Sequence, residues 1–326
     1  MYIVTGCAGF IASRLTADLL KDGQTVVGID NFNDAYDVRL KEYRIAQLQN
    51  AYPDFNCIRG DISDRQTVDN LFKNCQEPVA AVFNLAARAG VRTSVLNPWV
   101  YYDSNVLGSL NLLNGCVENG ISKFVLASTS SLYGNCSEGQ FRETDNTDRP
   151  LSPYAASKKA AEALAYSYYH LHGIDISISR FFTVYGPAGR PDMSIFRFIR
   201  HIDQGEPIIV FGDGTQARDF TFVDDIVHGV RLAEKQVGYD IFNFGGNRVV
   251  VLNDLIDLIG RILGKPVRVD RRSAHRADVQ RTSACIDHAE EVLGWRPERA
   301  IEQGVIQTVE WYLQNRDLAL KINLGE

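Results

Sequence analysis

The sequence predicts an α/β protein, a Rossmann-type doubly wound parallel sheet with a smaller carboxyl-terminal lobe that binds substrate. Three observations carry this expectation. Short apolar runs alternate with amphipathic stretches of helix length through the first half, a glycine loop stands between the first run and the first helix, and the alternation loosens after about Gly186. Strands that read as unbroken apolar runs belong to sheets covered on both faces, with the intervening helices as crossovers.

In order, strands are expected at Met1–Val4, Val26–Asp30, Phe55–Arg59, Ala80–Asn84, Phe124–Ser128 and Ile174–Phe181. The helices between them include Ile11–Lys21, Ser104–Glu118 and Tyr154–His172. Beyond Gly186, Pro187–Pro191 reads as a loop, Met193–Gln204 as a helix, Phe211–Gly214 as a turn and Thr221–Lys235 as a second helix. Short strands at Ile241–Phe244 and Val267–Asp270 and helices at Leu252–Leu263 and Ile301–Gln314 complete the chain. Residues 1–186 are therefore expected to be mainly a dinucleotide-binding domain and residues 187–326 mainly a substrate lobe, the two interleaved.

Composition narrows the class. The chain has 326 residues, 45% hydrophobic and 23% charged, as ordinary globular proteins do. A net charge of −6 speaks against a nucleic-acid binder, which carries a basic face. None of the six cysteines forms a Cys-x-x-Cys pair, so reduced thiols and no metal site are expected. No apolar stretch reaches membrane-spanning length, and Met1 leads straight into a strand-like run without a signal segment. A soluble cytoplasmic protein is the expectation.

The glycine loop is Thr5-Gly6-Cys7-Ala8-Gly9-Phe10-Ile11-Ala12. Glycine at Gly6 and Gly9 lets the backbone turn sharply and approach a pyrophosphate, and the helix start at Phe10 and Ile11 presents amides to it. Such glycines can mark an ordinary turn; a strand before and a helix after favour the cofactor reading. Asp30, followed by Asn31, ends the second strand, where an acidic group bonds ribose hydroxyls and repels a 2′-phosphate, so NAD is expected over NADP. Asp61-Ile62 after the third strand is placed for the adenine, and the small Leu85-Ala86-Ala87 after the fourth lets a cofactor lie close.

Ser128-Thr129-Ser130-Ser131 lies at the carboxyl end of the fifth strand, where open α/β sheets bind ligands. Ser152-Pro153-Tyr154-Ala155-Ala156-Ser157-Lys158 then starts a helix, with Tyr154 and Lys158 on one face. A free tyrosine titrates near 10, too high for a base at neutral pH. A neighbouring ammonium and a cationic nicotinamide favour the phenolate. Alone, Tyr-x-x-x-Lys is frequent by chance; after the glycine loop and the hydroxyl cluster it marks a redox step on a hydroxyl.

With these motifs, and with Arg180–Pro187 and Arg218-Asp219-Phe220, the whole chain resembles the extended short-chain dehydrogenase/reductase family, in particular its nucleotide-sugar epimerases and dehydratases. The resemblance implies that Tyr154 is the base, that Lys158 holds ribose and tunes Tyr154, and that Thr129 hydrogen-bonds the reacting hydroxyl, with Ser130 among the substrate contacts. It also implies a nucleotide in the later lobe, with Arg218 and Arg276 on the diphosphate and Asp278 near the ribose, and a homodimer. Where the dehydratases carry an Asp-Glu pair after the threonine, this chain has Ser130-Ser131, and the uronate decarboxylases usually carry Glu at the position of Ser131; both reactions are disfavoured. Arg180–Met193, Asp30–Asp34 and Ala89–Arg92 resemble the UDP-glucuronate 4-epimerase subgroup. Thr183 and Arg190, with Arg92 behind them, are then candidates for the C6 carboxylate. The competing expectations are a UDP-glucose or UDP-N-acetylglucosamine 4-epimerase, a UDP-glucuronate decarboxylase, and a catalytically silent NAD- or nucleotide-sugar-binding protein.

Overall fold

The computed structural model describes residues 1–134, 139–273 and 280–325. The first half runs β1 (Tyr2–Thr5), α1 (Phe10–Lys21), β2 (Val26–Asp30), α2 (Val38–Ala51), β3 (Asn56–Arg59), α3 (Arg65–Lys73) and β4 (Ala81–Asn84). Next, α4 (Val91–Leu96) and α5 (Trp99–Tyr102) lead through a π-helical turn at Asp103–Leu107 into α6 (Gly108–Glu118). β5 (Lys123–Thr129), a 3-10 turn at Ser130–Tyr133, α7 (Pro153–His172) and β6 (Asp175–Phe181) follow. The second half holds β7 (Thr183–Tyr185), α8 (Ser194–Gln204), β8 (Ile208–Phe211), β9 (Ala217–Phe222), α9 (Val223–Leu232), β10 (Tyr239–Phe244), β11 (Val249–Val251) and α10 (Leu252–Leu263). It closes with β12 (Val269–Arg272), α11 (Asp287–Leu293), α12 (Ile301–Gln314) and α13 (Arg316–Lys321).

Seven parallel strands form the main sheet in the order β10-β6-β5-β4-β1-β2-β3, the Rossmann-type arrangement expected. The six strands expected in the first half fall within two residues of their observed bounds. They read as apolar runs because successive residues bury on opposite faces. Ile3, Val82 and Phe124 pack with Leu71, Leu112 and Ala161 of α3, α6 and α7, whereas Val4, Phe83 and Val125 pack with Leu15 of α1 and Ile226 of α9. A third cluster, built on Ile195, Ile199, Leu255 and Val305, gathers the elements of the carboxyl-terminal half and includes Phe10 and Leu40 of the first.

The seventh strand, β10, comes from the carboxyl-terminal half and lies beside β6. Residues 217–222, partly expected to be helical, are strand β9, paired with β7 and β11, and the helix begins only at Val223. Phe220-Thr221-Phe222 are β-branched and aromatic, which suits a pleated surface once partner strands are present. Phe211, expected in a turn, ends β8 instead, which pairs with β12.

Strand order reverses between β1 and β4, and the crevice at the carboxyl ends of these strands is where such sheets bind ligands. α7 is well specified locally. Ser152 caps it by accepting from Ala155 N, Pro153 occupies its first turn, and left-handed Gly173 ends it.

Candidate active site

A cleft of about 400 Å³ lies over this crevice. Its floor at one end is the glycine loop. Gly6 has φ +69°, and a Cβ there would stand 2.8 Å from Ala86 Cα, so glycine is what lets the ends of β1 and β4 meet. The turn is closed by Gly6 N donating to Ile29 O and Gly9 N to Gly6 O, each at 2.7 Å. α1 then starts at Phe10 without a side-chain cap, and Gly9, Phe10 and Ile11 line the cleft. A helix start uncapped in this way is a ready anion site.

Asp30 is buried at the end of β2 and lines the same cleft. Its carboxylate accepts from Ala8 N at 3.2 Å and Phe32 N at 2.7 Å, and Lys41 Nζ stands 3.5 Å away. Lys41 also donates to Asn33 Oδ1 at 3.1 Å. Asn31 donates to Asp61 Oδ2 at 2.7 Å. Burial pushes Asp61 upward, but hydrogen bonds from Asn31 and Ser63 outweigh it and hold the carboxyl below its ordinary range. Ile62, Leu85, Ala86 and Ala87 complete the wall at the ends of β3 and β4. Acceptors at the ends of β2 and β3, a glycine turn and a helix start suit a dinucleotide, ribose against Asp30 and pyrophosphate against Phe10 and Ile11.

At the other end of the cleft stand Thr129, Ser130, Ser131, Tyr154, Lys158, Thr183 and Arg190. Thr129 caps the 3-10 turn, accepting from Ser131 N at 3.1 Å and donating to Ser131 Oγ at 3.2 Å, on the same wall as the Tyr154 phenol. Burial raises the Tyr154 phenol above its ordinary value, opposed by the Thr129 hydroxyl and the Arg190 guanidinium. Tyr101 lies edge-on to it, ring centroids 6.0 Å apart. Burial takes Lys158 down to about 8, partly offset by the Glu162 carboxylate. The arrangement places a phenol, a hydroxyl and a titratable ammonium on one wall of the cleft, groups able to exchange a proton with a bound hydroxyl.

The other expected substrate residues are placed less evenly. Thr183 opens β7 and faces the cleft. Arg190 donates to Asp192 through Nε at 3.0 Å and Nη2 at 2.6 Å, and lies 5.5 Å over the Tyr36 ring. Arg92 is exposed on α4 with its guanidinium 4.6 Å over Phe211 and does not line the cleft. Arg218, on β9, donates to Ala217 O at 3.0 Å and Gln280 O at 3.3 Å. Arg276 and Asp278 lie outside the described residues.

Several residues at or beneath the site had no sequence signal. Lys41 pairs with Asp30 from eleven residues away, and Asp192 occupies Arg190. Buried Asn105, in the π-helical turn, donates to Ser157 Oγ at 2.9 Å and so ties that turn to the helix of Tyr154 and Lys158. A π-turn inside a helix often marks a functional position, but its spacing is invisible without the partner helix.

A family model described as GDP-mannose 4,6-dehydratase matches residues 3–308. UDP-glucuronate 4-epimerase of Thermodesulfobacterium geofontis is 49% identical over 324 residues, 99% of each chain. Among solved structures, UDP-glucuronic acid 4-epimerase of Bacillus cereus in complex with UDP-glucuronic acid and NAD superposes with a TM-score of 0.89 at 34% identity, covering 96% of this chain and 99% of that one. UDP-glucose 4-epimerase of Thermotoga maritima with UDP-glucose gives 0.88 at 29% identity, covering 97% and 99%. With the cleft, the glycine turn and the Thr129–Tyr154–Lys158 wall in place, the chain belongs to the GDP-mannose 4,6-dehydratase family, the NAD-dependent epimerases and dehydratases among the extended short-chain dehydrogenases/reductases.

Proposed function

We propose that this protein is an NAD-dependent UDP-sugar 4-epimerase that interconverts UDP-glucuronate and UDP-galacturonate. The observation that carries the reading is the wall formed by Thr129, Tyr154 and Lys158, flanked by Ser130 and Ser131 where a dehydratase needs acids. The full-length likeness to UDP-glucuronate 4-epimerases supports the substrate.

NAD in the cleft supplies a hydride acceptor and donor for C4 of the sugar. Tyr154 accepts the proton of the 4-hydroxyl as the C4–H bond breaks, and returns it after the 4-keto sugar has turned its other face. Thr129, on the same wall as the phenol, orients the reacting hydroxyl. Lys158, titrating near 8, is largely charged at neutral pH and favours the phenolate. Asp30 takes the adenosine ribose, and Arg218 of the later lobe, mainly residues 187–326, takes the diphosphate. Arg276 and Asp278 are proposed with it.

A uronate brings a hazard. Its 4-keto form is a β-keto acid, which loses CO₂ when the bond to the carboxylate stands perpendicular to the carbonyl plane. We assign Thr183 and Arg190 to hold the carboxylate near that plane. Arg190 gives its Nε and Nη2 to the Asp192 carboxylate, so a uronate takes its remaining donors or displaces Asp192.

The proposed context is a cytoplasmic homodimer. Among the described residues no helix is long and apolar enough to cross a membrane. Leu96 and Trp99 are 86% and 77% exposed, and Tyr102, Leu107, Tyr166 and Leu171 are exposed as well, which supports a second copy packing across the segment before α6 and across α7.

The test is incubation of the full chain with UDP-glucuronate, UDP-glucose and UDP-N-acetylglucosamine in parallel, with products separated by chromatography. UDP-galacturonate is the expected product, and Tyr154→Phe lowers kcat about 100- to 10,000-fold. Conversion of the neutral sugars alone would overturn the substrate. A chain that binds NAD and converts none of them is a binding protein.

A further inference from the structure

Glu162 lies one turn beyond Lys158 and two beyond Tyr154 on α7, and it is buried. Its Oε1 accepts from Ser128 Oγ at 2.6 Å and from Arg180 Nε at 2.9 Å, and its Oε2 accepts from Arg180 Nη2 at 2.7 Å. Ser128 immediately precedes Thr129 at the end of β5, and Arg180 lies in β6 three residues before Thr183. Arg180 is only 2% exposed and also donates to Tyr133 Oη at 2.9 Å, which in turn donates to Asn243 Oδ1 at 2.7 Å. One carboxylate thus joins β5 and α7, which bring Thr129 and Tyr154 with Lys158 to the cleft, to β6, whose end leads into Thr183 of β7.

A fully buried ion pair adds little net stability compared with an apolar replacement of the same shape. Stability alone therefore does not account for a satisfied polar network placed directly beneath the reacting groups. Its position does. Hydride and proton transfer require reacting atoms held to a fraction of an ångström, and a small misplacement costs rate rather than binding.

We propose that Glu162 is a positioning residue for hydride transfer: it locks α7 to the ends of β5 and β6 so that Thr129 meets Tyr154, and it presents negative charge to the Lys158 ammonium one turn away. The proposal rests on the 4-epimerase reading for its choice of substrate. The groups around this carboxylate are Lys158 on its own helix, Arg180 of β6, Tyr133 of the 3-10 turn with Glu143 beyond it, and Tyr239 of β10, whose hydroxyl donates to Glu162 O at 3.4 Å. Of these Glu162 is the carboxylate that opposes the loss of the Lys158 proton.

Glu162→Gln alone would strand the Arg180 charge, so the test uses the paired Glu162→Gln/Arg180→Met variant together with Ser128→Ala. Each full chain is assayed with NAD on UDP-glucuronate, for kcat, KM and the pH dependence of kcat. In the paired variant kcat falls about ten- to hundred-fold, the effect of losing charge-assisted hydrogen bonds from the reacting geometry, and KM stays within about twofold. Its kcat also declines at lower pH than the parent's on the alkaline side. Ser128→Ala loses about threefold or more in kcat. A folded paired variant with the parent's kcat and alkaline limb, or a loss confined to KM, overturns the proposal. If the paired variant does not fold, an unchanged kcat in Ser128→Ala overturns it. A parent that converts another UDP-sugar instead removes only the substrate assignment, and the same kcat comparison on that sugar decides Glu162.

Discussion

At the scale of single residues, what Tyr154 can do is set by groups that oppose one another. Burial holds its phenol protonated, while Thr129 and Arg190 favour the phenolate. The bound cation of an oxidised cofactor would add to the second side. The task proposed for Thr183 is different, restraint of the uronate. Thr183→Val keeps the shape of the side chain and removes one hydroxyl, a change of about 1 kcal/mol that shifts product partition roughly fivefold towards CO₂ and a UDP-pentose. Chromatography of the sugar nucleotides with trapped CO₂ reads this directly. A variant that loses turnover yet releases no CO₂ sinks the restraint idea. Tyr154 and Lys158 were legible because their relation is local, four residues along one helix. Lys41 beneath Asp30 and Asp192 on Arg190 were not, since charged residues on loops and helices look alike until a partner is placed beside them.

At the scale of elements, the turn from β1 into α1 does most to shape the cofactor end. Gly6→Ala forces a side chain into a left-handed residue, about 1–2 kcal/mol, before the clash with Ala86 Cα is counted. We expect NAD affinity, followed by fluorescence titration, to drop at least tenfold. Parental affinity together with a parental Tm would contradict the close approach of Gly6 to Ala86. Arg44, buried on α2, donates to Ala8 O at 3.0 Å and to Ala188 O at 2.6 Å, so this turn is also bonded to the loop that carries Arg190. The strands of the main sheet were legible from their apolar runs. β9 was not, because Phe220-Thr221-Phe222 adjoins a helical pattern and its strand state depends on pairing with β7 and β11, which are distant in sequence.

Across the whole molecule, elements of the carboxyl-terminal half meet at one carboxylate. Asp203 of α8 accepts from Lys265 at 2.6 Å, Tyr312 at 3.0 Å and Arg316 at 2.8 Å, and so links the elements around the third cluster. Burial pushes its pKa up, but these partners outweigh burial and hold it at about 2, against an ordinary value of 3.8. A depressed carboxyl stabilises the fold above the unfolded value and loses that contribution as pH falls through the folded one. Thermal unfolding followed from pH 7 downward should therefore show stability falling between about pH 4 and pH 2. Asp203→Asn lowers stability by about 1–3 kcal/mol at pH 7 and flattens that acid limb. An acid limb of the same steepness in the variant would assign it to other carboxylates.

The features legible along the chain are local or periodic: the alternation of strands and helices, the glycine turn with Asp30 after the second strand, and the Tyr154–Lys158 pair. Each of these follows from backbone geometry and spacing within a few tens of residues. Tertiary structure alone decided that β10 completes the first sheet, that Lys41 meets Asp30, and that Glu162 joins Ser128 and Arg180 under the reacting groups. Those relations depend on which buried charges and strand edges find each other across the fold. A buried polar group must find its partner wherever packing places it, and spacing along the chain does not encode that place.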